Sequence, residues 1–379
     1  MFRCIRIRVV VFFALALAPA ASAQPKAESA KGVPGVFMVF FTPSDVEPPE
    51  NASRQLGLVA EYSEKFFVRE MDRWKYPAAR KTIFERNEDG TVRVLFAKGS
   101  ETAASGKYDM PGFQQAVIAD VMKQHQIPAI RNYWWIWTYL GPPPLKLKEY
   151  QGGGSAAGGG WGICNFDSSI AGVDPRLPMA GGVNEQFTLK GCLHEFGHAL
   201  GLPHMAPHRR DNAGNELMGP RTVLFHREFP REDRVYLCES AAAILWKHPV
   251  FTGSARERSP KVNLSLKDFK ATFDISRNVW TITGRVESDV EAHTVLVMDE
   301  TEAHAKEGGR FRKSYADRVT SDGRFTVKID EPTGTNGTLK LLFCLTNGSV
   351  AANGVMNGTN PDVAIEKPYE FLGKTYRLK

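Results

Sequence analysis

HEFGHALGLPHMAPH, residues 194–208, places four histidines and one glutamate in fifteen residues. Reading residues 191–201 as a helix puts His194 and His198 one turn apart on one face, where both imidazoles can reach a single ion. Leu193, Phe196 and Leu200 project to another side and can anchor the helix in a core. Glu195 then sits beside the metal face without being forced onto the ion. That is where a general base belongs, close enough to hold a water and not itself a ligand. Gly201 accepts the left-handed backbone that ends a helix, so the chain can turn and bring His204 to the same ion. Three neutral imidazoles leave the fourth tetrahedral position for water, the pattern of one catalytic Zn2+ rather than a structural one. His208 lies past Pro207, and nothing in the sequence fixes its direction. A site already holding three imidazoles and a water has no room for it.

HEFGHALGLPH resembles the HExxHxxGxxH signature of the metzincin clan of zinc metallopeptidases. The resemblance spans roughly residues 33–250 and is specific only at the motif. It implies His194, His198 and His204 as zinc ligands, Glu195 as catalytic base, and Met218 of NELMGP as the methionine turn beneath the metal. It also implies that the strand before the motif is a sheet edge that pairs with extended substrate. Gly162, Ile163, Cys164, Asn165 and Phe166 would then line the cleft. Met205 after the third histidine, and no tyrosine closely following Met218, leave the subfamily unassigned. His226 reads as structural rather than as an oxyanion donor. DNAGNE (residues 211–216) gathers oxygen-bearing side chains, as a calcium loop would; an ordinary turn is the stronger reading.

The first 23 residues read as a signal peptide: Arg3, Arg6 and Arg8, a short apolar run, and Ala21-Ser22-Ala23 as cleavage signal. Export to the periplasm or outside the cell is expected, with no membrane span afterwards. Losing those arginines lowers the formal charge from +6 to +3, too weak a bias for nucleic acid. Cys164, Cys192, Cys238 and Cys344 remain, with one or two disulfides expected in such a compartment.

The rest of the chain supports an α+β catalytic domain, residues 24–250. VFMVFF (residues 36–41) reads as a strand buried on both faces. A helix is predicted from about Ser53 to Trp74, with Leu56, Val59, Tyr62, Phe66 and Trp74 at helical spacing. TVRVLFA (from Thr91) alternates as a strand. Asp109 is expected to cap a helix with Pro111 in its first turn. RNYWWIWTYL (131–140) reads as a central core strand rather than a sugar platform. GGGSAAGGGWG (152–162) reads as a flexible loop, without the GK[ST] of a P-loop. Another helix is expected at 232–247, stopped by Pro249. Residues 251–261 read as a linker. Residues 262–379 read as a small antiparallel β-sandwich, with four strands and no helix among them.

The fold class predicted is therefore a zincin-like α+β domain followed by a β-sandwich. The function predicted is a secreted zinc endopeptidase acting on protein or peptide. The alternatives are a zinc hydrolase of cell-wall peptides and a secreted adhesin with a vestigial site. Glu195 speaks against the adhesin, since zinc binding alone does not need it.

Overall fold

The protein is described by a computed structural model covering residues 33–379, apart from 111, 129–131, 143–149, 156–157, 167–178, 180–188, 221–233, 255–260, 307 and 357–362. The expected signal peptide, Pro111 and His226 therefore lie outside the described residues.

Val36–Thr42 (β1) is buried along its whole length. It pairs in parallel with Val94–Lys98 (β2) on one side and Tyr133–Thr138 (β3) on the other. Gln151–Ser155 (β4) and Gly159–Asn165 (β5) complete the sheet in the order β2-β1-β3-β5-β4, with β4 antiparallel to its neighbour. Strand side chains alternate between faces, and here both faces are covered. Phe37, Val39, Phe41, Trp134 and Ile136 share a core with the helix Phe113–His125 (α2). Val36, Met38, Phe40, Tyr133, Trp135 and Trp137 share the other core with Ala52–Arg73 (α1) and Leu189–Ala199 (α3). Double burial is why these strands read as unbroken apolar runs.

Asp109 does not cap α2. It belongs to a separate 3-10 turn, Lys107–Asp109, and left-handed Gly112 (φ +88°) stands between that turn and the helix start.

The glycine-rich stretch is not a loop. It forms β4 and β5, and α3 lies directly on them. A Cβ on Gly152, Gly154 or Gly160 would fall impossibly close to the carbonyl oxygen of Glu195 or Ala199. On Gly162 it would be 2.7 Å from the Glu195 oxygen. Only glycine lets helix backbone meet sheet backbone this closely. From the side of β3, Phe196 stacks on Trp135, with ring centroids 4.8 Å apart at 14°.

After α3, Asn215–Glu216 (β6) pairs in parallel with Val235–Tyr236 (β7). The expected 232–247 helix is observed as Glu239–Trp246. Pro249 does not stop the chain; it starts a short helix, Pro249–Thr252, at the first-turn position where its missing N–H costs nothing. Phe251 in that helix is fully buried, and its carbonyl accepts the Arg80 N–H at 2.8 Å.

The C-terminal part holds two antiparallel sheets. Leu264–Asp274 (β8), Val279–Ser288 (β9) and Arg324–Ile329 (β12) form one, in the order β12-β9-β8. Ala292–Thr301 (β10), Lys313–Arg318 (β11), Gly337–Leu345 (β13), Ile365–Phe371 (β15) and Tyr376–Leu378 (β16) form the other, with Val350–Ala351 (β14) attached to β13. A short helix, Glu302–Lys306, interrupts the strands between β10 and β11, where none was expected. Trp280, Ile282, Phe325, Val295, Val297, Leu341 and Phe343 fill the space between the sheets. Leu296, Met298, Leu342 and Cys344 point the other way, into the core that holds α1 and α3. The two-sheet unit thus shares a hydrophobic core with the N-terminal sheet.

The four cysteines among the described residues are free and buried, so the expected disulfides are not formed among them. Cys238 lies against the Met205 sulfur at 3.7 Å. Cys344 lies on β13, facing the core shared with α1 and α3. Cys164 neighbours Cys192; burial, then that neighbour, holds its thiol well above the usual range. Among the described residues no helix is long and apolar enough to cross a membrane.

Candidate metal centre

His194 and His198 project from one face of α3. The helix ends as the glycine requires: Gly201 has φ +82°, its N–H donates to the His198 carbonyl at 2.9 Å, and the Leu202 N–H donates to the Gly197 carbonyl at 3.0 Å. This paired closure is the Schellman arrangement, and it reverses the chain. His204 then arrives with its Nε2 3.3 Å from that of His194 and 3.1 Å from that of His198. One nitrogen from each of the three residues lies within 4.8 Å of the others; this is the one such group of His, Cys, Asp or Glu among the described residues.

The other ring nitrogens fix the protonation pattern. Nδ1 of His194 faces the Leu217 carbonyl at 2.8 Å, that of His198 the Leu202 carbonyl at 2.8 Å, and that of His204 the Gly308 carbonyl at 2.6 Å. A carbonyl only accepts, so each Nδ1 carries the proton and each Nε2 presents a lone pair. Burial also opposes protonation: it is the main cause holding His194 well below its usual range, and moving His198 to about 4 and His204 to about 3. Three lone pairs turned on one another repel unless a cation lies between them. A tetrahedral ion with bonds of about 2.0–2.1 Å requires nitrogens about 3.3 Å apart, so the donor set fits one.

Glu195 follows His194 on α3. Burial raises its carboxyl to about 7, while the positive charges of Arg310 and Lys190 act in the opposite direction. Met218 is fully buried. Its sulfur lies 2.5 Å from where a Cβ on Gly197 would sit, so a side chain at this helix position would require the thioether to move. The turn carrying Met218 is held by two buried charged residues that the motif does not include. Lys190 donates to the carbonyls of Gly219 and Pro220, at 3.3 and 2.9 Å. Glu216 accepts the N–H groups of Met218 and Cys238. Their only trace in the sequence is a charged residue among apolar ones.

The structure corrects the cleft strand. β5 pairs with β3 on one side, and β4 covers its residues 159–163 on the other, so Gly162 and Ile163 offer no free strand edge. Ile163, Cys164 and Phe166 are buried. Among the described strands the sheet ends at β4. His208 turns away from the cluster, its Nε2 bonded to the Ser314 carbonyl at 2.7 Å. In the DNAGNE stretch, Asp211 accepts the Tyr236 hydroxyl at 2.8 Å and Glu216 braces the methionine turn; the two carboxylates serve different partners.

The sequence matches no protein-family profile and no curated protein. Solved structures do match. The chain is similar in fold to OgpA from Akkermansia muciniphila. Against catalytically inactive OgpA in complex with an O-glycopeptide substrate, glycodrosocin, the TM-score is 0.68 at 18% identity, covering 94% of this chain and 100% of that one. Wild-type OgpA in two crystal forms gives TM-scores of 0.69 and 0.67 at 18% and 19% identity. The likeness to OgpA therefore takes in the two-sheet unit as well as the part of the chain that bears the histidines.

Proposed function

We propose that the chain is an exported zinc endopeptidase that hydrolyses peptide bonds, with Glu195 as general base. The observation that carries this reading is the convergence of three Nε2 lone pairs, each fixed through Nδ1 by a backbone carbonyl, with Glu195 on the same helix. When bound, zinc supplies the charge that makes a water acidic and polarises a carbonyl. His194, His198 and His204 would hold it. Glu195 takes a proton from the attacking water and returns it to the departing amine, so the peptide leaves as a free carboxylate and a free amine. A carboxyl raised by burial is suited to both halves of that transfer.

The substrate would lie extended beside β4, whose outer edge replaces the β5 edge expected from sequence. OgpA holds an O-glycopeptide, so glycosylated peptides are the first substrates to try here. Purified protein is incubated with matched glycosylated and bare peptide mixtures, with and without chelator. Bound metal is counted, and Glu195→Ala is run beside the wild type. We expect one zinc per chain, cleavage that the chelator stops, and a variant that keeps zinc but loses about 100-fold or more in rate. Cleavage that survives both chelator and Glu195→Ala would overturn the reading.

A further inference from the structure

The carbonyls that hold the three histidines do not come from one part of the molecule. Leu202 and Leu217 lie close in sequence to α3. Gly308 lies 104 residues beyond His204, on the connection between β10 and β11. That connection makes further bonds to the same stretch. Arg312 Nη2 donates to the His204 carbonyl at 3.0 Å, and the Ala206 N–H donates to the Arg312 carbonyl at 2.7 Å. The His204 imidazole and its own peptide group are thus both gripped from the two-sheet unit.

The grip is built rather than incidental. Arg312 is buried, and its Nη1 is paired with Glu300 at 2.5 Å; Lys340 approaches the other Glu300 oxygen at 2.5 Å. The connection folds back on itself: the Gly309 N–H donates to the His304 carbonyl at 2.8 Å, and the Arg312 N–H to the Gly309 carbonyl at 3.0 Å. Gly308 and Gly309 have φ +64° and +73°, a left-handed pair in which side chains are strained. A Cβ on Gly309 would also crowd the Arg312 guanidinium at 3.1 Å. The fold therefore delivers the Gly308 carbonyl to His204 by a buried arginine and two glycines.

We propose that the two-sheet unit is a working part of the metal centre, with Arg312 and the Gly308 carbonyl as the positioning groups for the third ligand, His204. The proposal rests on the zinc reading above. Carbonyl partners of this kind orient a ligating imidazole, and their loss typically weakens metal affinity by about 10- to 100-fold.

The test measures zinc affinity in full-length protein by competition with a chromophoric chelator. Cobalt is also substituted for zinc and its visible spectrum recorded. Arg312→Met removes the grip. Arg312→Lys keeps the charge beside Glu300, and so protects folding, but cannot span both Glu300 and the His204 carbonyl. Arg318→Ala is the control: Arg318 also bridges the units, its guanidinium 3.8 Å from the Tyr76 ring centroid and 4.4 Å from that of Trp246, without touching His204. We expect a loss of zinc affinity of about 10- to 100-fold for Arg312→Met, a smaller loss for Arg312→Lys, and a cobalt spectrum altered in both. Arg318→Ala should bind zinc as the wild type does. Should Arg312→Met not fold, Arg312→Lys decides alone. Wild-type zinc affinity and cobalt spectrum in the folded Arg312 variants would overturn the proposal. So would an equal loss in Arg318→Ala, which would mean that docking as a whole, and not this grip, holds the metal. A wild-type protein that binds no zinc overturns the zinc reading itself, before the variants are compared.

Discussion

His194 and His198 are held in one way and His204 in another. The first two ride on α3, whose backbone is pressed onto the glycines of β4 and β5 and whose Phe196 is stacked on Trp135. The third sits on an irregular stretch and is steadied by a unit about a hundred residues away. Local periodicity builds one side of the centre, and tertiary docking builds the other. The difference teaches that a metal motif contiguous in sequence need not be contiguous in its support.

The largest effect should come from the helix side. In Gly160→Ala the new methyl would strike the Ala199 carbonyl. Neither backbone can retreat without breaking the sheet or the helix, so the cost should reach about 3 kcal/mol or more, at the upper end for overpacking. Gly57→Ala is the matched control. Gly57 lies inside α1 with nothing near its missing Cβ, and there alanine should stabilise by about 0.5–1 kcal/mol. Denaturant unfolding of both variants measures this. Equal stabilities would mean that α3 does not rest on the glycines.

That same contact explains what the sequence concealed. Glycine density looks alike in a flexible loop and in a strand pressed by a helix, because both show only missing side chains. The partner that distinguishes them, the backbone of residues 195–199, lies about forty residues on. Hence the sequence does not reveal β4, and β5 reads as an edge. The histidine pair, Glu195, the Gly201 turn and the doubly buried strand were legible because each depends on spacing within a few residues. Gly308 and Arg312 were not, because nothing near them in sequence names their partner.

The docked side is probed by the remaining histidines. His204→Ala should lose at least about 100-fold in zinc affinity, since it removes a ligand outright. His208→Ala should keep zinc, because that ring faces Ser314 and packs on Tyr315 at 4.7 Å. Its cost should be about 1–3 kcal/mol of stability, from a buried carbonyl left without its partner. Metal analysis with thermal melting separates the two. Loss of zinc in His208→Ala with retention in His204→Ala would reverse the assignment of the third ligand.

The docked side also carries a pH handle. Asp299, next to Glu300 on β10, is buried. Burial raises its carboxyl to about 6, against the opposing pull of the Tyr369 hydroxyl and of Lys313. The folded state therefore holds the proton more tightly than the unfolded chain, whose aspartates titrate near 4. The stability this contributes is present below about pH 4 and is lost as pH rises through about 6. The loss is on the order of 3 kcal/mol. Asp299→Asn can still accept the Tyr369 hydroxyl and does not titrate. Subtracting its unfolding free energy from that of the wild type should give a difference that falls between pH 4 and 7. Parallel curves would show that Asp299 is not tuned by burial.

The smallest effect belongs beneath the ligands, where both sides of the centre meet. Met218 fills the space against Gly197, and its own peptide chain carries the Leu217 carbonyl that orients His194. The thioether brings no charge and makes no bond to a histidine, so its contribution is shape. Leucine has nearly the same volume but branches earlier, and against a helix glycine that branch must find a new rotamer. Met218→Leu should therefore cost less than about 1.5 kcal/mol. The turn that carries the Leu217 carbonyl is held by Lys190, through the Gly219 and Pro220 carbonyls, and by Glu216, through the Met218 and Cys238 N–H groups, rather than by the methionine side chain, so zinc affinity and most of the peptide cleavage should persist. Melting, metal content and kcat/KM on the one variant distinguish a packing role from a chemical one. A variant with normal stability and zinc but no cleavage would give Met218 a part in the reaction that its buried, uncharged position does not provide.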